Sequence, residues 1–268
     1  EDEFVKRAKE WQAKKLQAGY VAITWPKEIG GQGGSPIQQV IFSQEESRYH
    51  APLGLFEIGL GMCIPTVIKH GTKDHAKRYV PPALLGQEIW CQLFSEPAAG
   101  SDLAGIRTRA ERKGDHWIIN GQKAWTSWGH RADYGIVITR SDPDVPKHKG
   151  LTVFFLDMKS PGVEVRPIKQ MSGASNFNEV FFTDVSIPDS QRLGDVGDGW
   201  RVSLTTLMNE RLAVGGKPSS APSADDFVFL ADQVGALDGD IKRSIADFYL
   251  KDEGVRLTRM RAMTALSR

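Results

Sequence analysis

Residues 90–102 read WCQLFSEPAAGSD, an apolar run that leads into a turn of small residues. The run predicts a β-strand, and the turn offers backbone N–H groups and two hydroxyl groups to a single acceptor. Loops of this kind bind phosphate or pyrophosphate groups. A solvated surface loop can have the same composition. The segment by itself therefore leaves a binding site and an ordinary turn both open.

Short strand-like runs continue from this segment toward the C-terminus. They cover residues 89–95, 106–112, 116–119, 122–127, 134–140, 151–158, 163–168 and 179–185. Gly114-Asp115, Asn120-Gly121 and Pro161-Gly162 fall between runs, and Asn-Gly between apolar runs is the strongest short hairpin signal. About eight runs at this spacing predict a compact β-barrel or sandwich. We therefore expect a middle β domain at residues 89–195.

Helical patterns lie on both sides of the β region. Apolar residues recur at helical spacing over residues 2–17, 37–48, 58–70 and 74–85, which predicts an N-terminal helical domain at residues 1–88. Residues 196–268 predict the start of a C-terminal helical domain, with helices at 200–214 and 227–237, a Gly/Pro/Ser interruption at 215–224, and a final pattern unfinished at Arg268. The expected fold is α+β: an N-terminal helical domain, a middle β-barrel or sandwich, and a truncated C-terminal helical bundle.

The composition excludes several classes of protein. The 268 residues include 34 Lys and Arg against 33 Asp and Glu, a net charge of +1, and 40% are hydrophobic. A disordered chain would be less apolar, and a polyanion-binding protein would be more positively charged. The two cysteines, Cys63 and Cys91, lack the spacing of a zinc site and are too few for a disulfide scaffold. Glu57 and Pro65 break the longest apolar stretch, so no transmembrane helix is expected.

A second distinctive segment, NGQKAWTSW at residues 120–128, places two tryptophans beside hydroxyl side chains. An indole beside polar donors can flank a flat conjugated ring. Alternatively, Trp125 and Trp128 pack in the β-domain core or against a helical domain. The residues alone favour packing.

A third segment places Glu210 and Arg211 in the otherwise apolar helix predicted at residues 200–214. A carboxylate in such a position can act as a buried base. A salt bridge to a neighbouring arginine is the commoner role. Both roles stay open at this point.

Taken in order, these and other segments resemble the acyl-CoA dehydrogenase family of flavoenzymes, in its bacterial-type branch. The resemblance covers nearly the whole chain. Its segments are WPKEIGG (25–31), GT (71–72), FSEPAAGSD (94–102), NGQKAWTS (120–127), PGV (161–163) and FFTDVSIP (181–188). The pair of segments around Ser95 and Trp125 is specific to this family at this spacing.

The resemblance implies that FAD binds between the middle domain and the C-terminal bundle. The edge of the isoalloxazine ring would follow residues 92–95, the indole at 125 would pack against the flavin, and two hydroxyls would lie near its reactive N5 edge. Ser101 would meet the pyrophosphate and contribute to substrate binding. The implied cofactor-binding residues are Gln92, Leu93, Phe94, Ser95, Ser101, Trp125, Thr126 and Ser127.

The resemblance also implies the reaction. A glutamate would remove the α proton of an acyl-CoA thioester while the β hydrogen leaves as hydride to flavin N5, which creates an α,β double bond. Glu210 matches members that hold this base on the first helix of the C-terminal domain, directly before an arginine. Other members hold it in sequence that would follow Arg268. Arg211 would lie near the adenosine phosphates of the substrate or near the base, although Met208 replaces the aspartate common three residues earlier.

Partners and location are also implied. Such dehydrogenases degrade fatty acids and other lipids, pass electrons to an electron-transferring flavoprotein, and form homodimers, homotetramers or heterotetramers. A cytoplasmic bacterial enzyme is expected, with the mitochondrial matrix as the alternative, and no metal, nucleic-acid or membrane partner. Two other functions remain open: a non-catalytic or half-site subunit that completes another chain's flavin site, and a flavin oxidase or monooxygenase of the same fold.

Overall fold

The structure is a computed structural model that describes residues 2–213 and 221–266. These residues form two compact units. The first comprises residues 2–22, 26–32 and 52–213, and it contains the whole β-sheet. The second comprises residues 23–25, 33–51 and 221–266, and its regular structure is helical.

The described helices confirm the helical regions predicted on both sides of the β region. They are α1 (Asp2–Gln17), α2 (Pro36–Glu46), α3 (Ile64–His70), α4 (Lys73–Leu84), α5 (Gly199–Ala213), α6 (Ala224–Gln233) and α7 (Gly239–Leu266). Acidic residues in the first turn of α1 and basic residues in its last turn complement the helix dipole. The buried side chain of Gln12 attaches α1 to α4, because its Nε2 donates to the Leu84 carbonyl at 2.9 Å.

The eight described strands form one hydrogen-bonded sheet, which confirms the predicted middle β domain. They are β1 (Trp90–Leu93), β2 (Arg109–Lys113), β3 (His116–Ser127), β4 (Tyr134–Arg140), β5 (Leu151–Asp157), β6 (Val163–Ile168), β7 (Phe177–Pro188) and β8 (Arg192–Leu193). Their order is β6-β7-β3-β2-β4-β5-β8, and β1 pairs in parallel with β4. Strands β3 and β7 largely alternate buried and less buried positions, whereas β4 and β5 are buried along almost their whole length. The core is formed by side chains of β1, β3, β4, β5 and β7.

The hairpin predicted at Asn120-Gly121 is wrong. Strand β3 runs through these residues and pairs with β7 on both sides of them, so the runs predicted at 116–119 and 122–127 are one strand. Opposite them, β7 carries one extra residue, with Asp184 at φ +49°. The Asn120 amide closes this bulge: its Nδ2 donates to Asp184 Oδ1 at 3.0 Å, and its Oδ1 accepts from the Asp184 N–H at 2.9 Å. The turn between β2 and β3 lies at Gly114-Asp115.

Polar contacts attach α5 to α3. The hydroxyls of Thr66 and Thr206 lie 2.9 Å apart, and both residues are buried. Next to them, His70 Nε2 lies 2.8 Å from Thr205 Oγ1. Burial lowers the pKa of His70, which favours the neutral ring at pH 7. These contacts fix α5, and Glu210 lies one turn after Thr206 on the same helix face.

The second unit contains α2, α6 and α7. The Ser223 hydroxyl caps α6 by accepting from the Asp226 N–H at 3.2 Å. Helix α6 packs on α7 through Phe227 and Phe248, whose rings meet edge to face at 5.1 Å. The Gly/Pro/Ser interruption predicted at 215–224 lies largely outside the described residues, which resume at residue 221. No helix in the described ranges has the length and apolar character to cross a bilayer.

Candidate functional site

The segments that follow β1 and that end β3 lie side by side. The Ala124 N–H donates to the Ser95 carbonyl at 2.9 Å. Leu93 and Phe94 are buried, whereas Gln92 and Ser95 are half-buried. Gln92 and Ser95 can therefore offer side chains to a ligand, while Leu93 and Phe94 can offer only backbone groups without rearrangement.

A β-bulge turns Trp125 out of the core. Strand β3 carries one extra residue between Lys123 and Thr126, which pair with Val180 and Asn178 of β7. Trp125 has φ +60° and is 60% exposed. Regular alternation would point it inward, on the same face as the buried Lys123. A core position for Trp125 is thus excluded, and its left-handed backbone is the kind of strain that clusters at functional sites.

Trp128 also has a left-handed backbone, at φ +58°, but its ring is packed. It stacks on Phe4 of α1, with ring centroids 5.7 Å apart and planes 14° apart. The backbone N–H of Trp128 donates to the Asn176 carbonyl at 2.9 Å. Of the two packing alternatives, the β-domain core and a helical domain, Trp128 therefore takes the second, against the N-terminal helix α1.

The two hydroxyl residues between these tryptophans differ in exposure. Thr126 is 1% exposed, and its Oγ1 has no hydrogen-bond partner among the described residues. Leaving a buried hydroxyl unpaired costs about 1–3 kcal/mol. Ser127 is half-buried, so it is the hydroxyl that a ligand can reach with less movement of the protein.

Glu210 lies beside β1. Gln92 Nε2 donates to Glu210 Oε2 at 3.4 Å, and both residues are half-buried. Within residues 2–213 and 221–266, Glu210 makes no ion pair. The side chain of Arg211 is exposed and forms no hydrogen bond or ion pair with the same residues, and Met208 is 57% exposed. The structure therefore brings Glu210, but not Arg211, to the predicted cofactor-binding residues.

The turn predicted to bind pyrophosphate is open. Glu96 and Ala99 exchange backbone hydrogen bonds of 2.9 and 3.1 Å, which leaves the tip between them exposed. A Cβ built at Gly100 would meet no atom within 4 Å. Ser101 is exposed and forms no hydrogen bond with any described residue. Backbone and hydroxyl donors of this turn are thus accessible to an anionic group.

A buried ion pair, which the sequence analysis missed, lies behind these segments. Lys123 Nζ lies 2.8 Å from Glu96 Oε1, with side-chain exposures of 0% and 6%. Burial lowers the pKa of Lys123 to about 8, although Glu96 opposes this shift. Burial alone would raise the pKa of Glu96, but Lys123 and hydrogen-bond donors outweigh it and hold that pKa below its usual value. Both groups are therefore charged at pH 7. The sequence signal for this buried pair was Lys123 itself, a lysine among the apolar residues of a predicted strand.

These features fit FAD. An isoalloxazine ring is flat and apolar with a polar rim, and it would cover the exposed Trp125 indole and reach Gln92 and Ser127 at its rim. The unpaired hydroxyl of Thr126 is consistent with a partner from outside the described residues. The open turn at Ser101 could hold the pyrophosphate.

Comparison with known proteins gives consistent matches. Residues 1–87 match the family description "Acyl-CoA dehydrogenase, N-terminal domain", and residues 91–185 match "Acyl-CoA dehydrogenase, middle domain". Acyl-CoA dehydrogenase FadE34 of Mycobacterium tuberculosis is 45% identical over 203 residues, which cover 76% of this chain and 28% of that protein. The chain spans 28% to 65% of the length of its curated relatives from M. tuberculosis and Mycolicibacterium smegmatis.

Solved structures are also similar. The "Tcur3481-Tcur3483 steroid ACAD" superposes with a TM-score of 0.87 at 32% identity, covering 98% of this chain and 68% of that one. The ChsE4-ChsE5 complex from Mycobacterium tuberculosis superposes with a TM-score of 0.80 at 28% identity, covering 97% and 69% of the two chains.

Proposed function

The chain belongs to the acyl-CoA dehydrogenase family. On that premise we propose that it forms part of an FAD-dependent dehydrogenase that introduces an α,β double bond into an acyl-CoA thioester. The observation that carries the proposal is the 3.4 Å hydrogen bond from Gln92 to Glu210. It joins a candidate base on α5 to the segment proposed to follow the flavin edge. Bound FAD would supply the two-electron acceptor for this oxidation.

Glu210 is the proposed base for the α proton. Its half-buried position on α5 limits access of water, and the Gln92 amide restrains one carboxylate oxygen. A restrained, partly dry carboxylate accepts a proton from a weak carbon acid more effectively than a freely hydrated one. Arg211 follows on the exposed side of the helix, where we place it near the phosphates of the CoA moiety.

The proposed flavin contacts follow from the bulged end of β3. Trp125 would pack on the flavin ring, and the hydroxyls of Ser127 and Thr126 would form hydrogen bonds with its polar edge. The turn at Ser101 would bind the pyrophosphate. Two features of the described backbone support this proposal: the bulge turns Trp125 outward, and the Ala124 N–H donates to the Ser95 carbonyl. Pre-formed contacts of this kind reduce the ordering that binding requires.

The test of the base is Glu210→Gln in the full-length protein. We expect FAD to remain bound and turnover of acyl-CoA to be lost, because an amide cannot accept the proton. Glu111→Gln is the matched control, since Glu111 is exposed on β2 and pairs only loosely with Lys113 at 3.8 Å. Undiminished turnover by Glu210→Gln would refute the assignment.

The names of the similar structures support finer proposals about substrate and assembly. One is named as a steroid ACAD of two components, Tcur3481 and Tcur3483, and another as the ChsE4-ChsE5 complex. We propose that this chain also works in a heteromeric assembly and that its substrate is an acyl-CoA that carries a ring system. The proposed electron acceptor is an electron-transferring flavoprotein, and the proposed location is the bacterial cytoplasm. The domain divisions at residues 88/89 and 195/196 remain predictions.

Reduction of the bound flavin by a panel of acyl-CoA thioesters tests the proposed substrate and the half-site alternative. Under anaerobic conditions, a ring-bearing acyl-CoA is expected to bleach the visible flavin absorption faster than straight-chain acyl-CoAs do. Flavin that is present but not bleached by any thioester would favour the half-site subunit. Faster bleaching by short straight chains would contradict the ring-bearing substrate.

A further inference from the structure

The buried Lys123–Glu96 pair connects three separate segments of the chain. Lys123 Nζ donates to Glu96 Oε1 at 2.8 Å and to the Phe94 carbonyl at 3.0 Å. The Glu96 carboxylate accepts from the N–H groups of Arg107 at 2.6 Å and Thr108 at 2.9 Å. The pair therefore ties the end of β3 to the segment after β1 and to the segment before β2.

The pair adjoins the residues proposed to contact the flavin. Lys123 is the last residue in regular register before the bulge that exposes Trp125. Glu96 directly follows Ser95, whose carbonyl accepts from the Ala124 N–H. Any shift of β3 along its neighbours would carry Lys123 away from Glu96 and from the Phe94 carbonyl at once.

The need to keep β3 in register explains why the charged residues Lys123 and Glu96 are buried at this position. Apolar side chains of similar volume can fill a buried site without loss of stability, so a buried ion pair is weak evidence for stabilisation. Hydrogen bonds, unlike apolar contacts, fix position and direction. A slip of β3 by one residue would exchange its inward and outward side chains, and Trp125 would then point into the core.

We propose that Lys123 and Glu96 are positioning residues for the flavin, which hold the bulge of β3 in register so that Trp125 and Ser127 face the cofactor at a fixed spacing from Gln92 and Ser95. This role rests on the proposed binding of FAD. The pair acts through the residues that it holds and touches no substrate.

The test compares full-length proteins that carry Lys123→Met, Glu96→Gln or both substitutions. Lys123→Met leaves a buried carboxylate unpaired, so that variant is expected to fold poorly. The double variant removes both charges at nearly unchanged volume, and glutamine keeps one acceptor for the Arg107 or Thr108 N–H. Lys159→Met is the matched control, because Lys159 is an exposed lysine that pairs with the half-buried Asp133 at 3.0 Å.

Three quantities are measured: the unfolding of the apoprotein, the Kd of FAD on reconstitution, and the visible spectrum of bound flavin. For the double variant we expect cooperative unfolding at a lower denaturant concentration than in the wild type, because one buried N–H loses its acceptor, together with a Kd of FAD raised about tenfold or more and a shifted flavin band. For Lys159→Met we expect no change in any of the three. A double variant with wild-type Kd and spectrum would overturn the proposal.

The unmodified protein gives a second test that does not depend on folding of the variants. Hydrogen exchange should show the amides of residues 94–96, 107–108 and 123–126 opening together as one unit. Independent opening of the three segments would contradict the proposal. If the wild-type full-length protein binds no FAD, the proposed function itself is refuted, which is a different outcome from loss of FAD in the double variant alone.

Discussion

Gly121→Ala tests the bulged strand that carries the site. Gly121 has φ +150°, a backbone conformation that side chains rarely adopt. A Cβ built there would lie 2.6 Å from Thr108 Oγ1 and 2.7 Å from Thr108 Cα. Rotation of the Thr108 side chain about its Cα–Cβ bond would relieve the first contact. The second involves backbone, so β3 or the segment at Thr108 must move.

The expected loss of unfolding free energy in Gly121→Ala has two parts. Holding a residue in a sparsely populated backbone region costs about 1–3 kcal/mol. Forcing an extra methyl group into a close-packed contact costs about another 1–3 kcal/mol. We therefore expect Gly121→Ala to lower the free energy of unfolding by about 2–6 kcal/mol. The same shift would move Thr108 relative to Glu96, so flavin retention should also fall.

The assay is urea-induced unfolding of the full-length variants, with two alanine controls that separate the two parts. Gly114→Ala shares a positive φ, +66°, but its Cβ would meet nothing within 4 Å. We expect a cost of about 1–2 kcal/mol from the left-handed backbone alone. Gly100→Ala has neither feature, and we expect a change within about 0.5 kcal/mol.

The differences in unfolding free energy between the three alanine variants test the prediction. If Gly121→Ala costs no more than Gly114→Ala, the contact with Thr108 does not exist or relaxes freely. If it costs no more than Gly100→Ala, the backbone described at Gly121 is wrong as well, and residues 120–121 could form the hairpin turn that the sequence suggested.

Two further predictions concern charge and the cofactor. Asp189→Asn is expected to lower the free energy of unfolding by about 1 kcal/mol at pH 7, after allowance for solvent screening. Hydrogen bonds from Arg192 and Trp117 hold the pKa of Asp189 at about 2 against an ordinary 3.8, so the difference should persist above pH 3.8 and disappear as the pH falls toward about 2. Unfolding measured across this range checks it, and a difference that stays constant to pH 2 would contradict it. Trp125→Ala is expected to raise the Kd of FAD about tenfold while changing the stability of the apoprotein by less than about 1 kcal/mol, because the indole is 60% exposed. Titration of apoprotein with FAD measures the first effect, and an unchanged Kd would exclude packing of the flavin on this ring.

Much of the fold could be predicted from local patterns. Helix α1 was predicted at its observed bounds, residues 2–17, because its apolar residues recur with helical period. The strands from 134–140 and 163–168 were also predicted within their observed bounds. These elements depend on periodicity and turn residues, which are written in consecutive positions.

The strand at Asn120-Gly121 shows where local reasoning fails. Asn-Gly favours a turn, but pairing with β7 on both sides keeps the chain extended there. Asn120 instead bonds Asp184, 64 residues away. Tertiary contacts override a local turn preference when they satisfy the backbone and side chain better than the turn would.

By itself, the sequence determined the family resemblance, the order of helices and strands, and the candidate residues Gln92, Trp125 and Glu210. The tertiary structure alone decided that Gln92 meets Glu210, that a bulge exposes Trp125, and that Lys123 pairs with Glu96. The reason is physical: period and turn chemistry act between neighbours in the chain, whereas register, burial and ion pairing depend on segments that only folding brings together.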